Sequence, residues 1–206
     1  MVDADRVRGT PPMGWNSWDC YGTTVTEAEV LANARAMAEH LLPHGWDTVV
    51  VDIAWSDPSA RAHGYNEDAP LAVDAYGRLQ PAVNRFPSSA DGAGFGPLAA
   101  QVHALGLRFG VHVMRGIPRV ATAADLPVLG TRVTARAIAD PTSAARCSWN
   151  PDMDGLDHTH PAAQAYYDSC VAQLASWGVD FVKADDMLWP YRTADIEAYA
   201  RAIERS

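Results

Sequence analysis

Residues Trp177–Met187 read WGVDFVKADDM, an apolar, β-prone run that stops abruptly at a lysine and two carboxylates. Side chains of an extended chain alternate between faces, so Val179, Phe181, Lys183 and Asp185 share one face and Asp180, Val182, Ala184 and Asp186 the other. Lys183 and Asp185 would stand about 7 Å apart along the strand. That is near enough for the ammonium to favour an ionised carboxylate and for both to touch one small ligand. A salt bridge at the end of a surface strand uses the same two residues, and this segment alone does not separate the two readings.

The rest of the chain repeats the theme of a strand followed by a long loop and a helix. Met13–Trp18 reads as a short strand entering a polar, aromatic loop. Thr26 and Glu29 form a capping box ahead of apolar positions Val30, Leu31, Ala34, Met37, Ala38 and Leu41, which predicts a helix over Glu27–Leu42. Trp46–Ile53 is β-branched and almost wholly apolar, as expected of a strand buried on both faces of a parallel sheet, and its last polar residue is Asp52. Residues 56–87 are rich in Pro, Gly, Asp and Asn and read as an excursion with at most a small hairpin; a loop of this length in a compact domain is usually functional. Gly94–Leu105 predicts a helix and Leu107–Val113 a third strand, with Met114-Arg115-Gly116 at its carboxyl end. A second irregular connection runs to about His160, then Pro161 opens a helix that Gly178 ends. A last helix spans Ala194–Ile203. Four strand–helix units with the long loops after the strands make an α/β fold with an active face at the carboxyl edge, either an open doubly wound sheet or a barrel. A complete (β/α)₈ barrel takes about 250 residues, so four units of this size would be half of one.

Composition narrows the function. The 206 residues are 48% hydrophobic and 20% charged, enough for one globular domain over 1–206. Sixteen basic against 25 acidic residues give a net charge of −9, with the basic residues scattered, so neither a nucleic-acid partner nor a membrane surface is indicated. Cys20, Cys147 and Cys170 lack metal-site or disulfide spacing, and free thiols are expected. The lead MVDADRVRGTPPMGW has no apolar core of a signal peptide, which gives a cytoplasmic expectation. Nothing calls for a cofactor, and the oligomeric state is not legible.

Four stretches, TPPMGWNSW (Thr10–Trp18), VDIAW (Val51–Trp55), GLRFGVHV (Gly106–Val113) and WGVDFVKADDM, resemble successive motifs of glycoside hydrolase family 27, the α-galactosidase family, in the same order and spacing. The resemblance covers the family's N-terminal half. It implies a (β/α)₈ TIM barrel, of which this chain supplies about the first four βα units, and a retaining exo-glycosidase acting on a carbohydrate, a terminal α-glycoside. The aspartate of the family's K-x-D motif is the nucleophile, a position held here by Asp185. Lys183 then matches a family lysine that hydrogen-bonds a sugar hydroxyl, and Asp52 matches the first aspartate of the D-D-C-W motif, another sugar ligand. Trp18 would wall the sugar ring, and Trp55, His112 and Arg115 fall at further substrate-side positions. Such an enzyme needs a second carboxylate about 5–5.5 Å from the nucleophile as acid/base. The family places it beyond the nucleophile, and no residue here takes that role.

The chain departs from the family pattern at Ile53, where relatives carry a carboxylate, at Ala54, where they carry a cysteine, at His112 for an aromatic residue, and at Arg115 for a small or acidic one. The loss of one hydroxyl ligand implies a sugar other than plain galactose. Two competing readings remain: a carbohydrate-binding barrel fragment without turnover, and a metal-dependent barrel hydrolase using His112, Asp185, Asp186 and His158 or His160.

Overall fold

The computed structural model describes residues 11–62, 64–66, 68–142 and 144–206. The polar lead over residues 1–10, with the first residue of the TPPMGWNSW motif, lies outside them. Four parallel strands, β1 (Gly14–Asn16), β2 (Thr48–Val51), β3 (Arg108–Met114) and β7 (Phe181–Asp185), form one sheet. Their spatial order is their chain order, β1-β2-β3-β7. A doubly wound sheet would reverse order at a switch point, so this singly wound sequence is the strand order of a (β/α)₈ barrel, four units of it.

The crossovers are α2 (Glu27–His40), α3 (Gly96–Ala104) and α6 (Pro161–Ser176), with α7 (Thr193–Glu204) after β7. The capping box forms as read: Thr26 N–H donates to Glu29 Oε2 at 2.8 Å while Glu29 N–H donates to Thr26 Oγ1 at 3.4 Å. At the head of α6, Pro161 occupies the first turn, where its missing N–H goes unused, and His160 Nδ1 accepts from Ala162 N–H. Between sheet and helices lies the main core, in which Phe95 packs edge-on against Trp55, Phe86, Phe109 and Trp177.

Two local expectations are corrected. Trp18–Tyr21 is a short helix, α1, rather than loop, closed at Gly22. The connection from Gly116 to His160 is not irregular: α4 (Arg119–Ala124) and α5 (Ala135–Ile138) accompany a small antiparallel sheet of β4 (Ile117–Pro118), β6 (Met153–Leu156) and β5 (Ala139–Asp140). Strands of two to four residues leave too short an alternation to read from sequence. Gly116 is required there, since with φ +92° a Cβ would stand 2.1 Å from the Asp154 carbonyl oxygen.

The 56–87 excursion carries two isolated antiparallel bridges among its described residues, Arg61–Gly64 and Val73–Leu79, in keeping with at most a small hairpin. It is tied down by the buried Arg85, whose guanidinium donates to the carbonyl oxygens of Thr23, Val25, Ala54 and Asp57. Because all four sheet strands are parallel, their carboxyl ends meet on one edge. That edge is where the polar residues of the sequence converge.

Candidate active site

β7 delivers Lys183 and Asp185 to the carboxyl edge, and registration with β3 sets Lys183 beside His112 and Asp185 beside Met114. Lys183 and Asp185 do not pair with one another, as the strand alternation suggested. Lys183 Nζ donates to Asp52 Oδ2 at 2.5 Å, across β3 to the end of β2. Asp185 Oδ2 is instead 3.1 Å from His112 Nε2, and Asp185 Oδ1 accepts from Asp186 N–H at 2.7 Å. For Asp185 the neighbouring strand lies closer than the alternate residue of its own strand, so the cross-strand partner wins, while the long Lys183 side chain spans β3 to reach Asp52.

Both carboxylates are held ionised. The hydrogen bond from His112 is the chief reason the Asp185 carboxyl falls to about 2; burial opposes it, while the Asp186 amide and the charges of His112 and Lys183 add to it. Burial pushes Asp52 up, but the charge of His112, the Lys183 bond and the Ile53 amide outweigh it, leaving Asp52 below its ordinary value. Asp52 is further fixed through its backbone N–H, which donates to Ser17 Oγ at 2.9 Å from the end of β1. The strand-end turns place left-handed backbone at non-glycine residues, Ala54 (φ 64°) after β2 and Asp186 (φ 58°) after β7. Such strain persists where the surroundings over-determine it, characteristically beside a working site.

Two expected site residues, Trp55 and Arg115, are engaged by the protein itself. Trp55 is buried, packs on Phe95, and donates its Nε1–H to the His112 carbonyl oxygen at 2.8 Å, so it backs the β3 strand rather than facing a ligand. Arg115 is 4% exposed and clamps the residue after Asp185: its Nε donates to the Asp186 carbonyl oxygen at 2.8 Å and its Nη2 lies 2.6 Å from Asp186 Oδ2. A guanidinium so engaged is a brace for the β7 loop. Asp186 therefore turns inward to Arg115 because β7 ends at Asp185, and alternation does not carry past it. Trp18, the first residue of α1 just after β1, is 41% exposed.

Residues the sequence did not single out complete the arrangement. Tyr65, from the 56–87 excursion, stacks on Trp18 with ring centroids 6.2 Å apart and planes 10° from parallel, and Trp149 lies tilted 55° against it at 5.3 Å. Burial and the negative charges of Asp185 and Asp52 push the Tyr65 phenol up to about 12. Asp152 lies near enough to His112 and Tyr65 to enter both fields, and burial raises its carboxyl to about 6. Ile53 is buried in a second apolar cluster with Ala69, Leu71, Met114, Cys147 and Met153, against which Tyr65 packs. The only signal for Tyr65 was the length of its loop.

His158 gives its Nε2 to Asp195 of α7 at 2.9 Å, and His160 caps α6, so the histidines of the metal reading are otherwise engaged. Among the described residues no group of three or more His, Cys, Asp or Glu side chains is placed to hold a metal ion. The three cysteines are free thiols, and no helix among the described residues is long and apolar enough to cross a membrane.

No family model matches the chain. A crystal structure of a GH27 β-L-arabinopyranosidase from Geobacillus stearothermophilus, in complex with arabinose, is similar at 53% identity with a TM-score of 0.93, covering 97% of this chain and 47% of that one. The α-galactosidase mel1 of Schizosaccharomyces pombe is 33% identical over 107 residues, 52% of this chain and 21% of its own length. Alpha-galactosidase A of Cellvibrio japonicus is 28% identical over 182 residues, 88% of this chain and 31% of its own. The chain thus spans about half the length of the solved relative and a third or less of these curated ones.

Proposed function

We propose, from the premise that this chain is a homologue of glycoside hydrolase family 27 enzymes over about half their length, that it carries the nucleophile side of a retaining exo-glycosidase site. In this reading Asp185 attacks the anomeric carbon and forms a glycosyl-enzyme ester as the bond to the aglycone oxygen breaks and the aglycone leaves with a proton, after which water hydrolyses the ester, freeing the sugar and the Asp185 carboxylate. The observation that carries it is the grip on Asp185: a strand-end carboxylate, part open to solvent, oriented through both oxygens and held near 2. A nucleophile must be ionised and aimed, and this one is both. Lys183 and Asp52, locked together beside it, offer a donor and an acceptor to the hydroxyls of the same sugar. The acid/base carboxylate is assigned to no residue of this chain.

For the sugar, we read a terminal glycoside with the ring stereochemistry of α-galactose but lacking its exocyclic hydroxymethyl group, that is, a β-L-arabinopyranoside. Ile53, buried among apolar side chains, offers no partner to a hydroxyl where relatives carry a carboxylate. A site without a hydrogen-bond partner disfavours a substrate that must bury that hydroxyl, by a few kcal/mol. The 53% identity to an enzyme described as a β-L-arabinopyranosidase supports the same choice.

The test is trapping with a mechanism-based 2-fluoro or cyclitol-epoxide glycoside of matching configuration, followed by peptide mass spectrometry. An adduct on Asp185 is expected; an adduct on Asp186 or Asp52 overturns the reading. A panel of 4-nitrophenyl glycosides then decides the sugar, with undiminished preference for α-galactoside over β-L-arabinopyranoside counting against the Ile53 argument.

A further inference from the structure

The long excursion after β2 folds back over the carboxyl edge of the sheet, where it brings Tyr65 onto Trp18. Tyr65 lies face to face with Trp18 and tilted 55° against Trp149. These three rings come from three different connections: α1 after β1, the excursion after β2, and the segment ahead of β6. They form a continuous aromatic rim, and its outer members remain 41% and 40% exposed. An exposed aromatic pair at a cleft is a binding surface more often than idle area.

The rim is continuous with the site. Tyr65 is the inner ring: the charges of Asp185 and Asp52 act on its phenol, and its base packs on the Ile53 cluster next to Asp52. Trp149 packs against Tyr65 and reaches solvent. A terminal glycoside whose anomeric carbon meets Asp185 directs its leaving group towards solvent, where Trp149 is exposed. We propose that Tyr65 and Trp149 form a platform for the leaving-group portion of the glycoside, selecting substrates whose aglycone presents a flat face, an aryl group or the C–H face of a second sugar. This rests on Asp185 marking the anomeric centre. The flat face gains stacking and apolar burial on Trp149 that a methyl aglycone lacks.

The test separates this from the nucleophile reading because it measures binding alone. Calorimetric titration of the whole chain compares a 4-nitrophenyl thioglycoside with the methyl thioglycoside of the same sugar, neither being hydrolysed. The unmodified protein is expected to bind the aryl compound at least tenfold more tightly. Trp149→Ala, at an exposed position where folding is little affected, should remove most of that preference and leave the methyl compound within about twofold. Tyr65→Phe should retain the preference, since the ring remains, whereas Tyr65→Ala should lose it. Equal affinity for the two compounds in the unmodified protein, or a preference untouched by Trp149→Ala, overturns the proposal. Either result leaves the trapping experiment on Asp185 to stand or fall separately.

Discussion

His112 and Asp185 sit on neighbouring parallel strands with Nε2 3.1 Å from Oδ2, and the histidine is 2% exposed while the aspartate opens to the cleft. Trp55 fixes the same stretch of β3 from behind by donating to the His112 carbonyl oxygen. The bond is the largest influence holding Asp185 near 2. His112→Phe removes the donor while keeping a ring of similar shape, so the carboxyl should climb back towards 3.8. The sign follows: a depressed carboxyl is ionised at all pH values above about 2, and a relaxed one loses activity at a higher pH. The acid limb of kcat/KM should therefore move up by about one pH unit in the variant, and identical limbs would remove His112 from this role.

On the proposed role of Asp185, Asp185→Ala in an enzyme that also carries the acid/base carboxylate should reduce turnover by several orders of magnitude with the fold retained, because the covalent route would disappear with the attacking group. Asp186→Asn should behave in the opposite way. It leaves the Asp185 carboxylate in place but weakens the contact with Arg115, which is 4% exposed, and breaking a buried pair costs about 3 kcal/mol or more. Parallel measurement of denaturant midpoints and single-turnover rates distinguishes the two, and a stable, inactive Asp186→Asn protein would reverse the assignment.

Lys183 and Asp52 form the second pair, with Asp52 1% exposed and Lys183 reaching solvent. Lys183→Met strands a carboxylate that burial already pushes up, so stability at pH 7 should fall by about 2 kcal/mol. Adding Asp52→Asn should recover part of that loss, because the amide does not need a counter-charge. A double-mutant cycle in urea reads the coupling; additive losses would mean that the pair contributes nothing to the fold.

Asp152 titrates in the opposite sense to Asp185. Its carboxyl is raised to about 6 chiefly by burial, so the folded state holds a proton that the unfolded chain releases near 3.8. The stability it contributes is fully present below about pH 3.8 and is lost as pH rises through about 6. Asp152→Asn should flatten this window and leave the protein more stable at pH 7 by about 2 kcal/mol. Thermal melts at half-unit pH steps would show it, and an unchanged profile would mean that the carboxyl is not protonated in the folded state.

What the sequence determined by itself was the repeating unit and its working edge. An apolar run ending in Asp52, the alternation that sets Lys183-x-Asp185 on one face, a capping box at Thr26 and Glu29, and Pro161 opening α6 are local signals, set by backbone geometry within a few residues, and each is realised in place. The order of strands in the sheet, and every pairing across it, was decided only in three dimensions. Alternation correctly put Lys183 and Asp185 on one face, yet their partners come from β2 and β3, 131 and 73 residues away in sequence. Charge and size could not tell that Arg115 would brace Asp186, or that Trp55 would turn into the core. The placement of Tyr65 was least legible of all. A loop carries no period, and what brings this one over the site is the packing of Ala69 and Leu71 on Ile53 together with the hold of Arg85 on its base. Those are long-range burial and hydrogen-bond satisfaction, which exist only once the whole sheet has formed.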